Sequence, residues 1–147
     1  MNQLNTFNHH KFTAKAMALF VHEGKLLLYP NRSRDGIMFY RPPGGHINHG
    51  EHALHAVIRE VKEEMGAKLT NVVLWRVLEN MFTADHTLHH EYVFCFTAEF
   101  EDRNYYTMKQ IRAEEGGREQ LLCWYSKQDI ETHKMFVVPT GIVDVLS

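Results

Sequence analysis

The chain has little with which to staple itself, anchor itself or attract a polyanion. Only two cysteines occur in 147 residues, Cys95 and Cys123. Each has apolar neighbours, Phe94 and Phe96 in one case and Leu122 and Trp124 in the other. That pattern excludes a disulfide framework and reads as two reduced core thiols. No stretch approaches the ~20 apolar residues of a membrane helix, so no membrane partner is expected. Met1 to Lys15 lacks the apolar run of a signal peptide, which makes the cytoplasm the expected location. Basic residues are not in excess: the net charge is −2 with histidines neutral. A nucleic-acid tracking surface is therefore not expected, and a small-molecule substrate is.

What is present suits one domain spanning residues 1–147. About 44% of residues are apolar and 23% charged, close to the globular norm, and that length buries a core without disulfides. Repeats, low-complexity tracts and linkers are missing. Thr13 to Val21 reads as a strand, Glu23-Gly24 as a turn and Lys25 to Tyr29 as the returning strand. Asn31 to Met38 reads as a polar loop and Phe39 to Arg41 as a short strand. Pro42-Pro43-Gly44-Gly45 must be an irregular, tightly held loop. Asn48 offers a helix N-cap, with Glu51 completing a capping box. Ala53 to Met65 is a helix that Gly66 stops. Val72 to Phe82 and Glu91 to Phe100 are strands, as is Leu121 to Tyr125. Tyr105 to Arg118 reads as a long loop with a helical turn. Lys127 to His133 and Gly141 to Leu146 read as short helices. Several strands around one strong helix give an α+β fold with a mixed sheet.

The chemistry concentrates on that helix. At about 100° per residue, Glu60, Glu63 and Glu64 share an arc of about 100° with Ala53 and Ala56. Leu54, Val57, Ile58, Val61 and Met65 form the adjoining apolar stripe, which should face the sheet. Three carboxylates on one face repel one another and need compensation. A hard divalent cation, Mg²⁺ or Mn²⁺, supplies it through oxygen ligands. A solvated acidic face is the plainer alternative for a bare Glu-Lys-Glu-Glu run.

The surrounding residues decide between them. Gly45, Glu51, Arg59, Glu60, Glu63, Glu64 and Gly66 meet every fixed position of Gly-x5-Glu-x7-Arg-Glu-U-x-Glu-Glu-x-Gly-U, where U is bulky and aliphatic. Val61 fills the first U, and Ala67 is undersized for the second. The stretch Gly45 to Ala67 resembles the Nudix box, and Pro43-Gly44-Gly45 resembles the family's lead-in. The resemblance implies an αβα sandwich around a mixed sheet. It implies divalent-metal-dependent hydrolysis of a diphosphate bond in a nucleoside diphosphate derivative or related nucleotide. It makes Glu60 and Glu64 metal ligands, and Glu63 a further ligand or the catalytic base. The carbonyl of Gly44 or Gly45 joins the ligands, and Glu51 with Arg59 becomes a structural ion pair. These roles suit phosphoanhydride chemistry, in which metal ions neutralise charge and acidify water.

Weaker signals surround the box. His46, His49, His52 and His55 recur every third residue, whereas zinc-binding helices pair histidines at i and i+4. On the helical wheel His52 projects near Glu63, as a substrate contact or as a surface histidine. Among Arg32, Arg34 and Arg41, Arg41 is best placed to bind phosphate, being pinned beside Pro42. Leu78 to Phe82 and His90 to Phe94 resemble a strand pairing of one bacterial Nudix group. Such pairing would bring Glu79 and Glu91 to the cleft, with Glu91 the candidate substrate ligand. Glu114, Glu115 and Glu119 are candidates for an extra acid from a later loop. Phe39, Tyr40 and Phe82 are candidates for base stacking, whereas Trp75, Trp124, Phe94 and Phe96 read as core.

Subgroup markers narrow the substrate by their absence. The proline of ADP-ribose hydrolases, about 15 residues past the box in that group, is missing, as is the proline-rich array of the NADH group. The tyrosine of diadenosine-polyphosphate hydrolases is replaced by Phe82, and Arg32-Ser33-Arg34 matches the coenzyme A motif only in part. An enzyme is the leading class, with a homodimer left open. A catalytically inactive Nudix-fold nucleotide-binding regulator is the alternative, though none of the box acids is lost. A zinc protein using the histidines is third.

Overall fold

The computed structural model describes residues 12–84 and 86–147. His9 and His10 fall outside these. A four-stranded sheet runs in the order β5-β1-β7-β6. Its members are β1 (Phe12–Leu19), β5 (Gly44–His46), β6 (Leu69–Ala84) and β7 (Thr87–Phe100). β1 and β7 are parallel and the other neighbours antiparallel, so this sheet is mixed, as expected. A second, antiparallel sheet orders β2 (Val21–His22), β3 (Lys25–Arg32), β9 (Arg118–Ser126) and β8 (Gln110–Glu115). β4 (Met38–Arg41) joins it beside β3.

The helix α1 spans Ala53–Met65, the bounds expected. Its buried Ala56, Val57 and Val61 pack on Ala16 and Ala18 of β1 and on Phe96, Ala98 and Phe100 of β7. Small residues on β1 let the helix approach closely. Gly66 ends α1 in the left-handed conformation (φ 68°), its N–H donating to the Lys62 carbonyl at 2.8 Å. The start differs from the expected capping box. His52 occupies the N-cap without a side-chain hydrogen bond. Asn48 and Glu51 form a separate turn before it, in which Glu51 Oε1 accepts from the Asn48 N–H at 3.0 Å.

The far face of the mixed sheet packs Met17, Val93 and Cys95 against Ile130 of α2 (Lys127–Thr132), and against Val137 and Ile142. The C-terminal segment Ile142–Leu146 is a 3-10 helix. With α1 on one side and these elements on the other, the αβα layering is complete. Among the described residues no helix is long and apolar enough to cross a membrane.

The segment read as a loop with a helical turn contains a strand. After a 3-10 turn at Arg103–Thr107, β8 pairs with β9 across Gly116-Gly117, both at positive φ. Its alternation is shallow, with only Ile111 and Ala113 buried, but the paired glycines suit a two-residue hairpin.

Candidate active site

Gly45 fixes how the loop meets the helix. A Cβ built there would lie 2.5 Å from Glu60 Oε2, so the missing side chain is the space the Glu60 carboxylate occupies. At Gly44 a Cβ would meet backbone instead, 2.2 Å from the Ala16 carbonyl oxygen. The Gly44 N–H donates to Glu64 Oε2 at 3.3 Å. The glycine pair therefore packs β5 against β1 on one side and against two helix acids on the other.

The result is an open cleft of about 460 Å³. One wall is Glu60, Glu63 and Glu64 of α1; a second is Gly44, Gly45 and His46 of β5. The β8–β9 hairpin closes the third side with Glu114 to Gly117. Two of the three later-loop candidates thus reach the cleft. Glu119 does not line it; it meets Arg112 at 3.3 Å.

The helix acids differ in environment. Glu64 is buried, and burial pushes its carboxyl up to about 8, against the pull of Arg41. Glu60 is partly shielded and accepts from Arg59 Nη1 at 2.9 Å. Glu63 is well exposed and accepts from the same nitrogen at 3.2 Å. Arg59 also grips Glu51 and donates to the His46 carbonyl at 3.1 Å. Its hydrogen bonds, with that from the Asn48 N–H, hold the Glu51 carboxyl down at about 2.

The donor set suits a hard divalent cation. Carboxylate oxygens converge on one cleft, and a buried carboxyl such as Glu64 ionises readily only with added positive charge beside it. Among the described residues no three His, Cys, Asp or Glu side chains stand together as a formed cage, and Glu60 and Glu63 lean on Arg59. The four box histidines form no such cluster either. His46 lies on β5, and His52 meets His55 edge-on at 5.6 Å.

Three expected substrate contacts sit differently from their sequence placement. Arg41 does not line the cleft but contacts it through Glu115. It pairs with Glu115, stacks over the Tyr29 ring at 4.5 Å and is largely shielded. Tyr29 donates to the other Glu115 oxygen at 2.9 Å, making an Arg41–Glu115–Tyr29 cluster that the sequence did not signal. His52 does not line the cleft. Its backbone is extended (φ −71°, ψ 143°), so a helical wheel misplaces its side chain. β6 and β7 do pair, but Glu79 stands opposite Tyr92 and Glu91 opposite Asn80, on opposite faces of the sheet. Glu79 holds His90 at 3.0 Å. Glu91 is 5% exposed and neither acid lines the cleft.

Of the stacking candidates, Phe82 stacks on His89 at 4.8 Å, Tyr40 packs edge-on against Tyr125, and Phe39 lies on β4. Trp75 and Trp124 pack against the two cores, as expected. Arg32 donates to the Gly36 carbonyl at 3.4 Å, within its own loop.

Comparison with known proteins agrees with this arrangement. The family model described as the NUDIX domain matches residues 11–143. A MutT NUDIX hydrolase from Burkholderia pseudomallei superposes with a TM-score of 0.66 at 22% identity, covering 93% of this chain and 96% of that one. A NUDIX hydrolase from Nitrosomonas europaea gives 0.62 at 22%, with 92% and 86% covered. A MutT protein from Bacillus halodurans gives 0.59 at 22%, with 91% and 79% covered. These likenesses establish the shared fold, and the matched domain establishes the family. The chain belongs to the Nudix family and is a pyrophosphohydrolase, an enzyme acting on small nucleotide derivatives.

Proposed function

We propose that this enzyme hydrolyses a phosphoanhydride bond of a nucleoside diphosphate derivative or related nucleotide, with Mg²⁺ or Mn²⁺ as cofactor. The observation that carries the reading is the fit of the Glu60 carboxylate into the space left by Gly45. It brings the helix acids and the glycine loop to one cleft.

In this reading Glu60 and Glu64 hold the cation, with the Gly44 carbonyl as a backbone ligand. The cation, when bound, neutralises phosphate charge and acidifies water. Glu63, the most exposed of the three, takes the proton of the attacking water or adds a ligand. Glu51 and Arg59 hold the loop to the helix. Arg41 and Tyr29 hold Glu115 at the base of the cleft, and Glu114 or Glu115 extends the acid set. The free Cys95 and Cys123 suit a reducing compartment, the cytoplasm.

A panel of nucleoside triphosphates, dinucleotides and nucleoside diphosphate sugars, assayed with Mg²⁺ and with Mn²⁺, tests the proposal. Release of a nucleoside monophosphate or of pyrophosphate from a panel member is the expected result. Binding without turnover across the panel would instead leave a nucleotide-binding regulator.

A further inference from the structure

One charged group beside the cleft has no part in the reading above. Lys15 of β1 stands directly opposite His46 of β5. Opposed residues of neighbouring strands share a sheet face, with Cβ atoms roughly 5 Å apart. His46 of the edge strand lines the cleft, so Lys15 lies one strand behind that wall, on the sheet face opposite α1.

Its ammonium is held from the far side. Lys15 Nζ lies 3.2 Å from Glu91 Oε2, and Asn80 Nδ2 donates to Glu91 Oε1 at 3.1 Å. Glu91 keeps 7% of its side-chain surface, whereas Lys15 keeps 23%. The lysine therefore meets solvent and the carboxylate does not.

Stability alone gives no reason for this trio. Further along the same face, Met17, Val93 and Cys95 are buried in an apolar cluster. Apolar residues at the three positions would extend that cluster, and such replacements of buried ion pairs are often neutral or stabilising. An ammonium has three donors, and the Glu91 contact leaves others to take further acceptors. The two guanidiniums nearest the acids are committed to the helix and hairpin side. Arg59 holds Glu51, Glu60 and Glu63, and Arg41 holds Glu115.

We propose that Lys15 is a substrate-binding residue, taking a phosphate oxygen of the diphosphate on the β5 side of the cleft, and that Glu91 and Asn80 are positioning residues that aim its ammonium. This rests on the phosphoanhydride reading above and adds to it a phosphate contact made by protein. It moves Glu91 from a direct substrate contact to a support, which its burial favours. A lysine suits the role because it meets phosphate as a compact point charge with rotatable donors.

The test uses the whole protein with Mg²⁺ and methylenediphosphonate, a diphosphate mimic that carries no nucleoside. Lys15→Met alone would strand the buried Glu91 charge, so it is paired with Glu91→Gln. Calorimetry should show the double variant binding the probe about tenfold more weakly, as loss of one charged hydrogen bond predicts. Its Tm should stay near the wild-type value. With the best substrate of the panel, KM should rise by a similar factor, fall less steeply with decreasing salt, and leave kcat within about threefold. Glu91→Gln should raise KM in the native background and add nothing in the Lys15→Met background, because Glu91 acts through the lysine. Equal probe affinity and equal KM in wild type and double variant would overturn the assignment. So would a wild-type enzyme that turns over substrate yet does not bind the probe. A wild type inert on every phosphoanhydride would instead refute the proposed function itself.

Discussion

Arg59 grips Glu51 through two nitrogens, Nε at 2.8 Å and Nη2 at 2.9 Å. The remaining nitrogen, Nη1, reaches Glu60 and Glu63. One guanidinium thus ties the turn before α1 to the acids that the proposed chemistry uses. Glu51→Gln is predicted to lower the Tm by a few degrees and to lower activity with it. The pH dependence follows from the direction of the shift. The Glu51 carboxyl is held down at about 2 when folded, so its stabilising contribution is complete above its ordinary value. That contribution is lost as pH falls from about 5 towards 2. Thermal melts across this range should show a shallower acid loss for Glu51→Gln than for wild type. An unchanged Tm with lost activity would instead put Glu51 among the reacting groups.

The two cleft glycines should fail differently. At Gly45 a new Cβ meets only the far end of the Glu60 side chain, which can swing away. Gly45→Ala should fold and melt near wild type yet lose activity by about tenfold or more, as expected when a group is held about an ångström out of place. At Gly44 a Cβ would strike the Ala16 carbonyl oxygen and Met17 Cα, which cannot swing. Gly44→Ala should lower the Tm sharply or fail to fold. Equal melting curves for the two variants would contradict this division.

The contrast also shows where sequence reading reaches and where it stops. The helix bounds, its Gly66 stop and the acid face were legible because helix propensity and the glycine C-cap agree there, whereas His52 rather than Asn48 is the N-cap, and Leu54 and Ile58 of the expected apolar stripe are exposed. β8 was not, since Ile111 and Ala113 alone carry its buried face, and only the Gly116-Gly117 pair marked a hairpin. β6 and β7 run further toward their turn than expected, to Ala84 and from Thr87, because backbone pairing continues past the buried core. His52 lies in extended backbone just before α1, where helical periodicity does not set the direction of a side chain. Lys15, Tyr29 and the partners of Glu91 became visible only once strand register set them side by side. No local pattern records which residues of two distant strands stand opposite.

Cys95 should be inert for a physical reason. Cys95 is fully buried, and burial pushes its thiol up to about 12. At pH 8 it should react with an alkylating agent far more slowly than Cys123, which is only partly buried. Reductant should leave the Tm unchanged. A drop in Tm with reductant would show that a disulfide supports the fold.

Glu63 is separable from its neighbours by pH. If it takes the proton of the attacking water, Glu63→Gln should keep near-normal Mg²⁺ activation, lose turnover by about a hundredfold or more, and regain part of it at high pH, where hydroxide replaces the base. A parallel fall of Mg²⁺ affinity and rate would make Glu63 a ligand and move the base to Glu114 or Glu115.

The most direct measurement is Mg²⁺ activation of phosphoanhydride turnover in wild type, Glu60→Gln and Glu64→Gln, with folding checked by circular dichroism. Each substitution removes one charge at nearly constant shape. Both variants should fold, need far more Mg²⁺ for half-maximal rate and lose at least about a hundredfold in turnover at limiting metal, the scale of removing one transition-state stabilising group. Near wild-type turnover at limiting Mg²⁺ in either variant would contradict the proposed metal role of Glu60 and Glu64.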